Sequence, residues 1–122
     1  MIGYATLGST DLDRALAFYD ELLALVGGKQ KFGLDRIKFY GTDDNGAMLA
    51  VCTPANGEDQ SCGNGQMVAI PGGSPEGADA LYEKALSLGA TDAGAPGQRM
   101  DGFYGAYVHD PDGNKLCFFH MG

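Results

Sequence analysis

Few side chains in this sequence are able to carry chemistry. His109 and His120 are the only imidazoles, and Cys52, Cys62 and Cys117 the only thiols. An odd count of cysteines without zinc-ligand spacing implies neither a disulfide framework nor a structural zinc site. Cys117 would be a nucleophile only beside a base that forms its thiolate, and the sequence places none there, so a buried, inert thiol is expected. His120 is expected to point at a helix layer and His109 to sit at a turn. Arg36, Lys38 and Tyr40 alternate with Ile37 and Phe39. If the apolar pair packs on a helix, the other three face away from it and form a cationic, aromatic-lined surface suited to an anionic or planar ligand. The competing reading is a solvated edge strand guarded by charge. Arg99 is expected on a loop from Gly94 to Gly102, either an ordinary surface loop, the preferred reading, or one that closes over a ligand.

The elements that must position these groups come around twice. Setting Ala15–Leu25 over Ala78–Leu88 pairs Tyr19 with Tyr82, and so short a chain with such self-similarity implies two copies of one supersecondary unit. In the first copy, residues 2–7 read as a strand and Thr10 or Asp11 as a helix N-cap. Leu12, Ala15, Leu16, Tyr19, Leu22, Leu23 and Val26 follow at helical spacing, and Gly27-Gly28 stops the helix. Residues 29–33, 35–41 and 47–53 read as strands, with Asp44-Asn45-Gly46 as a hairpin turn. The second copy has a strand over 66–70, Ser74 as N-cap with Pro75 in the first turn, and a helix to about Leu88. A weak strand at Thr91-Asp92, a loop at 94–97, and strands over 103–109 and 115–121 complete it. The fold class is therefore α+β, a single domain over 1–122 of two tandem βαβββ units, 1–54 and 66–122, joined by a polar connector over 55–65.

Composition narrows the partners. Sixteen acidic residues against eight basic give a formal charge of −8, which repels phosphate backbones and anionic lipid heads, so neither nucleic acid nor a membrane is expected as a partner. The longest apolar runs fall short of a membrane span, and Met1-Ile2-Gly3-Tyr4 lacks the basic start of a signal peptide. A cytoplasmic protein is the expectation.

The sequence resembles the vicinal oxygen chelate superfamily of glyoxalase, bleomycin-resistance protein and extradiol dioxygenase. The resemblance rests on Asp11-Leu12 before Ala17-Phe18-Tyr19, on Gly63-Asn64-Gly65 before the second unit, and on Phe103-Tyr104 leading through Tyr107-Val108-His109 to Asp110-Pro111-Asp112-Gly113-Asn114. It implies a cupped mixed sheet with helices on its outer face, and in metal-dependent members one His, Gln or Glu ligand on each of several inner strands. The positions that correspond here are Tyr4, Met67 and Cys117, and the strand from Ala47 to Thr53 contains no His, Asp, Glu or Gln at any register. Thioether and neutral phenol are weak donors to the hard or borderline ions such sites hold. Gln66 is one residue from a ligand position and by strand alternation points the other way.

The resemblance therefore implies a glyoxalase-like protein without a metal cofactor that binds a small organic molecule in a cup lined by Tyr4, Met67, Phe103, Tyr107, Cys117 and Phe119, joined by Arg36, Lys38 and Tyr40. The alternative is a metal-dependent lyase or dioxygenase resembling lactoylglutathione lyase, with Zn, Ni, Fe or Mn held by residues such as Gln66, His109 or His120. A drug-sequestering protein similar to bleomycin-binding proteins is a third reading. A homodimer is expected by analogy with the superfamily.

Overall fold

Both helices start where a short polar side chain stands ready to satisfy the free amides of the first turn. Asp11 accepts from the Arg14 amide at 3.1 Å and opens α1 (Leu12–Ala24). Ser74 accepts from the Gly77 amide at 2.9 Å and opens α2 (Pro75–Ser87), with Pro75 in the first turn, where a missing N–H costs nothing. In the computed structural model, which describes residues 1–122, the strands are β1 (Tyr4–Gly8), β2 (Lys29–Leu34), β3 (Ile37–Gly41), β4 (Met48–Cys52), β5 (Val68–Pro71), β6 (Thr91–Met100), β7 (Phe103–His109) and β8 (Lys115–Met121). The class is α+β, two βαβββ units in tandem. The expected mixed sheet is realised as two four-stranded sheets, ordered β1-β4-β3-β2 and β5-β8-β7-β6.

In each unit the first strand lies parallel to the last, and the other neighbours are antiparallel. The helix supplies the crossover that a parallel pair needs and covers one face of its sheet. Leu22 of α1 and Leu81 of α2 are fully buried, and each such side chain contributes roughly 1.5–3 kcal/mol through removal from water. Gly77 belongs to this packing, since a Cβ there would lie 1.9 Å from the Gly72 carbonyl oxygen. The turn between β7 and β8 is held by Asp110, whose Oδ1 accepts from the amides of Asp112 and Asn114, each at 2.9 Å.

One expectation is corrected. The stretch from Gly94 to Gly102 is not a loop: β6 continues to Met100, and its irregular register against β7 absorbs the glycines and Pro96 as bulges. The compact units divide at Cys62 and Gly63, so most of the polar connector belongs to the first unit. The Gln60 side chain lies against Gly8, where a Cβ would meet its Cγ at 2.7 Å.

Candidate functional site

Strand alternation assigns every sheet residue to the helix-covered or the open face. In the second unit Tyr104, Ala106 and Val108 of β7 share a face with Leu116, Phe118 and His120 of β8. This is the covered face, because the Tyr104 hydroxyl donates to Asp79 of α2 at 2.6 Å and Phe118 is fully buried. Phe103, Gly105, Tyr107 and His109 are paired with Met121, Phe119, Cys117 and Lys115, and these occupy the open face. Phe103 and Phe119 stack with ring centroids 5.7 Å apart. Met67, just before β5, is 46% exposed.

Around Tyr107 the open face has been cleared of side chains. A Cβ on Gly94 would lie 2.9 Å from the Tyr107 ring and 3.3 Å from the Arg99 guanidinium, and one on Gly97 would lie 3.0 Å from Arg99. Glycine at these positions lets ring and guanidinium lie against β6. The Arg99 guanidinium carbon and the Lys115 ammonium each stand 5.3 Å from the centroid of the Tyr107 ring, a distance at which the ring's π face attracts a cation. Directly across from Tyr107, Cys117 is 1% exposed. Burial pushes its thiol pKa up, while a hydrogen bond from Tyr107 and the charges of Arg99 and Lys115 pull it back in part.

The first unit arranges its open face differently. Tyr40 was expected to face away from the helix with Arg36 and Lys38, but it is 2% exposed and its hydroxyl donates to Asp20 of α1 at 2.6 Å. Burial, followed by that bond, raises its pKa well above the ordinary phenol value. Tyr40 and Lys38 therefore belong to the covered side of β3, and Ile37 and Phe39 to the open side, the reverse of the expected assignment. Tyrosine at position 40 fits the covered side because the helix offers a carboxylate to its polar tip. Lys38 donates to the Leu34 carbonyl at 2.9 Å, and Arg36, in the turn before β3, donates to the Thr53 carbonyl at 2.7 Å.

The open face of this sheet is apolar and was largely missed by sequence reasoning. Phe32 stacks on Phe39 with centroids 4.5 Å apart, and Tyr4 meets Phe39 edge-on at 4.9 Å. Tyr4, Phe32 and Leu34 are 52%, 57% and 72% exposed. The signal lay in the period of two linking Phe32 with Leu34 and Ile37 with Phe39. A polar cavity of about 260 Å³, lined by Ser9, Thr10, Thr53, Pro54, Gly57, Glu58 and Asp59, lies at the C-terminal ends of β1 and β4.

The resemblance sets Tyr4, Met67 and Cys117 at the positions of metal ligands in metal-dependent members. Tyr4 offers a phenol engaged with an aromatic ring, Met67 a thioether and Cys117 a buried thiol, with no imidazole or carboxylate among them, a donor set that does not fit a hard or borderline divalent ion. His109 and His120 cannot share one, since they lie on opposite faces of the second sheet. No three His, Cys, Asp or Glu side chains are grouped to hold a metal ion.

The model of the Glyoxalase/Bleomycin resistance protein/Dioxygenase superfamily matches residues 1–118. A glyoxalase/bleomycin resistance protein from Albidiferax ferrireducens is 33% identical, with a TM-score of 0.91 covering 100% of this chain and 99% of that one. A glyoxalase-related enzyme from Fulvimarina pelagi is 24% identical, with a TM-score of 0.77 over 98% of this chain and 86% of the other. A family member from Burkholderia phytofirmans is 18% identical, with a TM-score of 0.78 over 98% of both chains. No curated protein matches the chain. With a family model spanning nearly its whole length and a solved relative at one-third identity, the chain belongs to the Glyoxalase/Bleomycin resistance protein/Dioxygenase superfamily.

Proposed function

We propose that this chain is a metal-independent member of its superfamily that binds a small organic molecule on the open faces of its sheets. One observation carries the reading: the positions matching the family's metal ligands hold a phenol, a thioether and a buried thiol with a raised pKa. One thiol and one thioether, with no carboxylate or imidazole beside them, make a poor donor set for zinc, nickel, manganese or ferrous iron. What remains on the open faces suits an organic ligand. Stacked phenylalanines and exposed methionine give broad, adaptable apolar contact, and Tyr107 adds a polar handle. On this reading Met67, Phe103, Tyr107, Cys117 and Phe119 are ligand-contact residues of the second unit's open face and Tyr4 is one of the first unit's, while Arg36, Lys38 and Tyr40 act as structural groups.

A reducing compartment such as the cytoplasm is supported by three cysteines that form no disulfide, and a homodimer by the exposed Phe32 and Leu34. No helix is long and apolar enough to cross a membrane. The test is thermal unfolding of chelator-treated protein titrated with Zn, Ni, Mn and Fe(II). Only a ligand that prefers the native state raises the midpoint, so the midpoint stays in place; a clear rise at one equivalent of any of these ions refutes the reading.

A further inference from the structure

We infer that the open face of the second unit selects its ligand by an oxyanion, a carboxylate or a phosphate-type group, held by Arg99 and Lys115 beside Tyr107. The inference rests on the reading of that face as a ligand site and adds the chemical class of the ligand. Its basis is how the few cations of an acidic chain are used. Lys29 and Lys31 both pair with Asp43, at 3.2 and 3.4 Å. Arg36 and Lys38 donate to main-chain carbonyls. Arg14 and Lys84 are also engaged. Arg99 donates from Nη2 to the Ala95 carbonyl and Lys115 has only the Tyr107 ring, so neither is neutralised by a carboxylate.

Asp110, in the turn before Lys115, accepts from the main-chain amides of Asp112 and Asn114, and two further acidic groups of this unit also have other partners. Asp92 accepts from Tyr82 at 2.9 Å and from the Gly94 amide at 2.9 Å, and Asp79 accepts from Tyr104 on the covered face. Two like charges are thus brought to one ring, with no counter-ion from the protein, on a chain of net charge −8. Their mutual repulsion is relieved when an anion joins them. The guanidinium keeps free donors in a planar fork suited to two oxygens, and the ammonium adds a point charge. Gly94 and Gly97 leave Arg99 room to lie along β6, and on the same face the Phe103–Phe119 stack offers a flat apolar surface. The arrangement fits a small aromatic or planar acid, its oxyanion on the cations and its body on the rings.

The experiment is an NMR titration of ¹⁵N-labelled protein with four probes of similar size: benzoate, phenylphosphonate, benzyl alcohol and phenyltrimethylammonium. The inference predicts that at least one of the two anions shifts the amides of Arg99, Tyr107, Lys115 and Cys117 and binds at least about tenfold more tightly than the alcohol or the cation. Binding by benzoate alone marks a carboxylate site, by phenylphosphonate alone a phosphate-type site, and by both a general oxyanion site. Arg99→Gln with Lys115→Gln is expected to abolish the preference while the dispersed spectrum reports an intact fold, and Arg99→Lys to keep part of it. Equal or tighter binding of the alcohol at these residues overturns anion selection and leaves the ligand site standing. Silence toward all four probes overturns both.

Discussion

The two sheets have the same strand order and the same helix-covered back, yet their open faces differ in kind. The first displays Tyr4, Phe32, Leu34, Ile37 and Phe39, an aromatic and aliphatic surface whose neighbouring cations, Lys38 and Arg36, are tied to carbonyls. The second carries a tyrosine with two cations, a buried thiol and a phenylalanine stack on a surface cleared by glycines. Covered faces have one task, to bury apolar area under a helix, and both units solve it alike. Open faces are free of that constraint, so their chemistry can diverge without cost to the fold.

The contrast between faces is sharpest in stability. Phe118→Ala empties a fully buried site under α2 and is expected to cost about 3–5 kcal/mol in urea unfolding, whereas Phe119→Ala, one residue on and on the open face, is expected to cost no more than about 1 kcal/mol. Comparable losses would break the assignment of faces. A smaller effect probes the covered face of the first unit. Tyr40→Phe removes the bond to Asp20 and is expected to cost about 1–2 kcal/mol at neutral pH. Its pH signature is more specific. Because the native phenol pKa lies above the ordinary value of 10.0, the unfolded chain loses this proton first as pH rises, and stability falls progressively above pH 10. Tyr40→Phe flattens that part of the slope, and an unchanged slope would mean that Tyr40 is not held by the helix. The smallest expected effect separates the thiols kinetically. Exposed Cys62 should react with a thiol-specific disulfide reagent at least about tenfold faster than Cys117, which is buried with a raised pKa. Early labelling of Cys117 would show an open, activated thiol instead.

Much of this was legible in the residues, for physical reasons that differ by element. Asp11, Ser74 and Pro75 announce their helices because capping is local chemistry, and Asp110-Pro111-Asp112-Gly113-Asn114 announces its turn for the same reason. The β7–β8 register follows from that turn, which fixes Tyr107 opposite Cys117. The orientation of β3 was not legible, because Ile37 and Phe39 look like core residues until Tyr40 is seen to reach Asp20 across the helix. The length of β6 was hidden by its glycines and Pro96, which read as a loop when the bulges that accommodate them are unknown. Lys115 was overlooked because its importance comes from Arg99, which is distant in sequence and meets it only at the Tyr107 ring.

The central claim is that the family's ligand positions, held here by Tyr4, Met67 and Cys117, no longer chelate. The most direct measurement is the metal content, by mass spectrometry, of untagged protein dialysed separately against Zn, Ni, Mn and Fe(II) and then freed of unbound ion. The account predicts far less than one ion per chain in every case. One tightly held ion per chain, lost when Cys117 is replaced by Ala, would contradict it.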